Sequence, residues 1–179
     1  MSITISERIK SQQEIYSKII DSIKSNIRVA IPGIIQSFDS QEQTVVVQPS
    51  IREKIIDIDL NESWVQLPLL LDVPIILPRA GGYCITFPIN SGDECLVVFA
   101  DMCIDAWFSN GNIQNQIEKR RHDLSDAFAI LGTWSQPRTV ANYATDALQI
   151  RNEDKTSYIE MKNNNINLVG NILINGVPI

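Results

Sequence analysis

The 179 residues carry a formal net charge of −6, with 44% hydrophobic and 20% charged side chains. That length suits one domain with an appendage or two small domains, and the composition excludes a disordered chain. The acidic balance, with basic residues gathered only in EKRRHD at 118–123, argues against nucleic-acid binding, which needs a basic stripe to displace counterions.

Cys84, Cys95 and Cys103 are odd in number and widely spaced, so they form neither a disulfide framework nor a zinc motif. They point to folding in a reducing cytoplasm. The opening MSITISERIKSQQ lacks the apolar centre of a signal peptide, and no apolar run is long enough to span a bilayer. A chain soluble when made is expected.

In SQQEIYSKIIDSIKSNI, 11–27, Ser11 and Glu14 fit a capping box. Tyr16, Ile19, Ile20, Ile23 and Ile27 fall on one face at helical spacing, which predicts an amphipathic helix of about four turns. It packs either on its own domain or on a neighbouring subunit. From Arg28 the period changes to two. RVAIPGIIQSFD reads as a strand with a kink or bulge at Pro32–Gly33, and TVVVQPSIREKI, 44–55, as a second, broken near Pro49, making a long antiparallel hairpin. WVQLPLLLDVPIILP, 64–78, is interrupted by Pro68, Pro74 and Pro78, which predicts an edge strand or extended connection. AGGYCITFPIN, 80–90, and SGDECLVVFA, 91–100, read as strands joined as a hairpin by the Ser91–Gly92–Asp93 turn. DMCIDAWFS, 101–109, suggests a short helix, NGNIQNQIEKRRHD a loop, and LSDAFAILG, 124–132, a compact apolar segment closed by glycine. About five strands without alternating helices argue for a small antiparallel barrel of the OB-fold kind, whose closure removes exposed edges.

After Gly132 the texture changes. SQPRTV at 135–140 reads as a linker; ALQIRN, SYIEMK, NINLVG and NILING then recur as short strands of a narrow, repetitive structure. Ile159, Met161, Ile166, Leu168, Ile172 and Ile174 form an apolar face among asparagines. A lone meander buries such a face poorly, and isolated hairpins are marginal. Either the tail folds back over the barrel, or several copies wind together with their apolar faces on a shared axis. The asparagines suit the corners, because Asn tolerates left-handed turns. The expected division is 1–27 helix, 28–134 barrel, 135–145 linker and 146–179 repetitive β tail.

IPGIIQSFDSQEQTVVVQP, PLLLDVPIILPRAGGYCITFPINSGDECLVVFAD and RRHDLSDAFAILG, in that order, resemble the N-terminal barrel domain of central spike proteins from contractile phage tails, which have relatives in tailocins and other contractile injection systems. The resemblance covers 28–134. It implies an all-β protein: an N-terminal helix, a five-stranded antiparallel OB-fold barrel, then a short intertwined trimeric β-helix. It also implies a homotrimer in the baseplate of a virion or tailocin particle, assembled in the bacterial cytoplasm. Its partners would be tail tube, hub and baseplate proteins and, transiently, the bacterial envelope, and either the spike is blunt or a separate tip-capping protein covers it. Longer members of that family carry histidine ligands for iron at the apex; here the only histidine is His122 and no HxH pair occurs, so no cofactor or metal is expected.

No residue pattern demands an enzyme. His122, between Arg121 and Asp123, lacks the nucleophile and orienting partner of a triad and is read with them as a structural barrel motif. Asp101 and Asp105 are four apart, but no insertion forms the sugar cleft of a glycosidase. Gly81–Gly82 lacks the lysine of a phosphate loop. Trp64, Trp107 and Trp134 read as core or interface anchors rather than a base-stacking platform. The rival function is an OB-type module that holds an oligosaccharide or single-stranded nucleic acid, and a third is an envelope-degrading enzyme.

Overall fold

From Ala30 onward, alternate residues turn inward and the strands close on themselves. A computed structural model describes residues 12–178, so the capping role expected of Ser11 lies outside the described residues. Two compact units divide the chain, Met1–Thr133 and Trp134–Ile179.

The first unit begins with helix α1, Gln12–Asn26, with Glu14 in its first turn and Lys24 in its last, the charge order that the helix dipole favours. The strands are β1 (Ala30–Asp39), β2 (Thr44–Pro49), β3 (Glu53–Ile56), β4 (Glu62–Val65), β5 (Leu70–Ile76), β6 (Arg79–Ala80), β7 (Tyr83–Cys84), β8 (Glu94–Phe99) and β9 (Ala127–Leu131); the short helix α2, Asp105–Asn110, lies between β8 and β9. β1-β2-β5-β9-β8 form a closed barrel, while β3–β4 and β6–β7 are separate two-stranded hairpins.

Four of the five seams are antiparallel, but β5 and β9 run parallel, Ile75 opposite Ala129 and Ile76 opposite Ile130. This corrects the expectation of a wholly antiparallel barrel. Directions cannot alternate all the way round a ring with an odd number of strands, so one seam must be parallel. A second correction concerns β5, which is a barrel stave and not an edge or a connection. Its ladder to β9 starts at Ile75, after Pro74, and Pro74 ends its ladder to β2 opposite Thr44, so the missing proline donor falls at the margin of both ladders. A third concerns 80–90: only Ala80, Tyr83 and Cys84 are in strands, Tyr83 paired back to Ala80 and Cys84 to Arg79, and β8 pairs with β1 and β9 instead.

Ile35, Val45, Val47, Leu70, Val73, Cys95, Val97, Phe99, Ala127 and Ala129 fill the barrel. The alanines of β9 stand opposite larger residues of β8, Ala127 opposite Phe99 and Ala129 opposite Val97, which suits a narrow lumen. Gly33 shows how tight it is: a Cβ there would lie 2.4 Å from Val47 Cγ1 and 3.2 Å from Val97 Cγ2. The kink or bulge expected at Pro32–Gly33 is instead a register shift between Ile35 and Ser37.

The second unit carries a one-turn 3-10 helix, Gln136–Arg138, then β10 (Leu148–Arg151), β11 (Tyr158–Lys162), β12 (Asn165–Val169), β13 (Leu173–Ile174) and β14 (Val177–Pro178). β10-β11-β12 is an antiparallel meander and β13–β14 a hairpin. Asn163 and Asn175 take positive φ at the turns of β11–β12 and β13–β14, the corner role read from the sequence. No helix among the described residues is long and apolar enough to cross a membrane.

Candidate functional site

Alternation in LQIR, YIEMK and NINLV places every second residue on one side of its strand. The register then joins them: Leu148 stands opposite Met161 and Met161 opposite Ile166, while Ile150 faces Ile159 and Ile159 faces Leu168. Directly opposed residues share a face, so two rows of three apolar side chains cover one side of the sheet. All six are between 44% and 67% exposed.

The opposite face is polar. Gln149 Nε2 donates to Glu160 Oε2, and Asn167 Nδ2 donates to Glu160 Oε1 at 3.1 Å, so one hydrogen-bonded row crosses all three strands. These donors, Gln149 foremost and then Asn167, hold the Glu160 carboxyl below the usual range. Lys162 pairs with Asp146, which lowers the Asp146 pKa and raises that of Lys162. Arg151 donates to the Ala141 carbonyl. Both contacts tie the residues preceding β10 to the meander.

Of the six apolar residues expected to act together, the structure gathers Ile159, Met161, Ile166 and Leu168 on this face. Ile174 lies in the following hairpin opposite Val177, and Ile172 just precedes it. Leu148 and Ile150 complete the face; the period-two spacing of ALQIRN was the available signal. The strands pair within one chain, so winding between chains is not needed to form them, and β10 and β12 are the sheet's two edges.

In the barrel unit, Arg121 Nη1 lies 2.7 Å from Asp101 Oδ2, and His122 Nε2 lies 3.5 Å from Asp101 Oδ1. The Asp123 carboxylate accepts the Ser125 N–H at 2.9 Å. Arg121 and His122 thus tie their loop to Asp101, just past β8, while Asp123 closes the loop on itself. The denser node belongs to Arg120, which sequence reasoning passed over. Its Nε lies 2.9 Å from Oδ2 of the buried Asp126. Its Nη2 reaches Asp105 Oδ2 at 2.8 Å and Cys103 Sγ at 3.2 Å, and its Nη1 reaches Glu118 Oε2 at 2.9 Å. Asp126 Oδ1 also accepts the Ile104 N–H at the start of α2. Hydrogen bonds donated to Asp126 and Asp105 push the Arg120 pKa up, and Arg120 in turn holds the Asp105 carboxyl down. Cys103, Asp105 and Asp126 converge with potential metal-ligand atoms within 4.8 Å of one another. The guanidinium already donates to all three, so the cation of this cluster is Arg120.

None of the three tryptophans enters the barrel core: Trp64, Trp107 and Trp134 are all about half exposed or more. Trp107 meets Phe128 edge-on, with ring centroids 5.8 Å apart. The two rings, with Tyr83, Ile76 and Arg79, line a groove of about 530 Å³.

A comparison with curated proteins finds no match to the chain. Residues 31–132, more than half of the chain and containing every strand of the barrel after its first residue, match the family described as phage protein Gp138 N-terminal domain. This bears out the phage part of the resemblance read from the sequence, and on it the chain belongs to the Gp138 N-terminal domain family of phage proteins.

Proposed function

We propose that the protein is a structural component of the phage particle, the central spike of a contractile tail or tailocin baseplate, and that it works as a homotrimer. The observation that carries this reading is the bare apolar face of β10–β12, backed by a face on which Glu160 joins Gln149 and Asn167 across the three strands. Three such sheets placed around an axis bury the six apolar side chains of each copy against one another. The free edge of β10 in one copy meets the free edge of β12 in the next, which closes a prism without exposed edges. The closed five-stranded barrel supports an OB-type domain seated beneath the tail tube or hub. The prism points outward and carries the contraction force to the cell envelope. Stiffness is what this task requires, and interchain hydrogen bonds around a dry core supply it: withdrawing one chain exposes strand edges of the other two.

No step of this task calls for turnover, so the protein acts without catalysis. Sedimentation equilibrium of the full chain tests the reading. Three times the 20.1 kDa protomer mass is expected, and a monomer at micromolar concentration overturns it. A barrel that holds an oligosaccharide is the second reading, favoured by the groove at Tyr83, Trp107 and Phe128, where sugar faces stack on aromatic rings. It predicts sugar binding that Trp107→Ala removes.

A further inference from the structure

Helix α1 presents an apolar stripe that its own barrel leaves uncovered: Ile15, Tyr16, Ile19, Ile20 and Ile23 are each 46–61% exposed. Within the stripe, Tyr16, Ile20, Ile23 and Ile27 are separated by four, three and four residues. That is the a/d spacing of a coiled-coil seam, with Ile20 and Ile27 at a and Tyr16 and Ile23 at d. Helical hydrogen bonding reaches the last of them, since the Ile27 N–H donates to the Ile23 carbonyl at 3.2 Å. A helix that packs on one flat partner needs a broad stripe and no such regularity.

We infer that α1 is a second trimerisation element, in which the helices of three copies form a parallel, in-register bundle along the seam Tyr16, Ile20, Ile23 and Ile27. Isoleucine at both a and d shifts the preference from two strands to three or more. Ile19 and Lys24 flank the seam at g and e. A three-stranded bundle buries more of these flanks than a pair does, which accounts for the apolar width contributed by Ile19. Asp21 and Lys18 fall on the outer face. Copies related by a threefold axis present identical helices in one direction, so the parallel register follows from the symmetry.

This inference rests on the homotrimer proposed above. A 15-residue helix is marginal alone, and two heptads are fewer than free coiled coils use. Joined to an assembled trimer, the three helices meet at an effective concentration of about millimolar, which offsets that shortfall. The bundle therefore forms after the tail and barrel associate and locks the opposite end of the sequence.

Disulfide trapping in the full chain tests it. On a Cys84→Ser background, which removes the exposed native thiol, Ile20→Cys, Ile23→Cys and Asp21→Cys are oxidised mildly. They are then read by non-reducing electrophoresis and native mass spectrometry. Trimers of all three are expected, with chain-to-chain disulfides at positions 20 and 23 at least tenfold faster than at 21. Trimers that cross-link at equal rates at all three positions overturn the bundle and leave the spike reading standing; monomers overturn both. Hydrogen exchange on the unsubstituted trimer gives a readout independent of folding defects in the variants. Amides of residues 16–27 are expected to exchange at least a hundredfold slower than in a free peptide, and free-peptide rates overturn the bundle.

Discussion

Arg120 and Asp126 stand six residues apart and form an ion pair at the entry to β9, Nε to Oδ2 at 2.9 Å with Asp126 fully buried. Because Asp126 also accepts the Ile104 N–H, and its carbonyl accepts the Ala100 N–H, a single residue fixes the end of β8, the start of α2 and the entry to β9. Removing one partner of a buried pair strands the other in a poor solvent. Asp126→Ala is therefore expected to cost about 3 kcal/mol, lowering Tm by roughly 10 °C. Thermal unfolding followed by circular dichroism checks it. The double change Arg120→Met with Asp126→Leu should recover most of that loss, and a failure of the double variant to exceed the single one counts against the pair as the cause.

Gly33 is the second point where the barrel has no slack. The Cβ of Gly33→Ala would overlap Val47 Cγ1, and Val47 is itself completely buried, so it cannot swing into solvent. Overpacking of this kind costs about 1–3 kcal/mol. Urea unfolding should show a lower midpoint at unchanged slope, and Val47→Ala introduced beside it should restore part of the stability. If Gly33→Ala unfolds like the unsubstituted chain, the lumen is looser than the distances imply.

Much of this architecture was legible because strands announce themselves by a period of two between polar turns. β1, β2 and β8 all read that way, and so did the tail face from Ile159 to Leu168, whereas β9 showed only as a compact apolar segment. β5 was hidden by a rule applied one step too far. Proline rules out a ladder on both sides of its own residue, but β5 meets β9 only beyond Pro74. The hairpin expected at 80–100 failed because ring closure, a long-range constraint, directs β8 to β1 and β9 rather than to its sequence neighbour. The Arg120 node was hidden for a different reason. Which of two adjacent arginines turns inward depends on an irregular loop with His122 in the left-handed region at φ 49°, and no periodicity describes such a loop.

Cys95 gives the barrel a pH limit on the alkaline side. Its thiol is fully buried, and burial raises its pKa from 9.0 to about 11. The folded state thus holds its proton between those values while the unfolded chain releases it. Stability is intact below pH 9 and falls as pH rises towards 11, by up to roughly 3 kcal/mol for two pKa units. Chemical denaturation at pH 8, 9.5 and 10.5 should show this fall in the unsubstituted chain and a shallower one in Cys95→Ala. Parallel profiles for the two would assign the alkaline loss to other groups.

The tail face makes the sharpest demand on assembly. Ile159 is the middle residue of its row, between Ile150 and Leu168 on the central strand, so in a closed prism it lies nearest the axis. Ile159→Asp would bring three carboxylates together there with no counter-charge, and burying even one such charge is prohibitive. The same substitution on a lone sheet is cheap, because Ile159 is 44% exposed within a single chain. The two cases separate cleanly: a trimeric prism predicts that Ile159→Asp yields folded monomers by light scattering, with the barrel's near-ultraviolet circular dichroism unchanged. Glu160→Gln, one residue along and on the polar face, keeps its hydrogen-bonding shape towards Gln149 and Asn167 and should leave the trimer mass intact. Trimers that survive Ile159→Asp would show that this face is not where the copies meet.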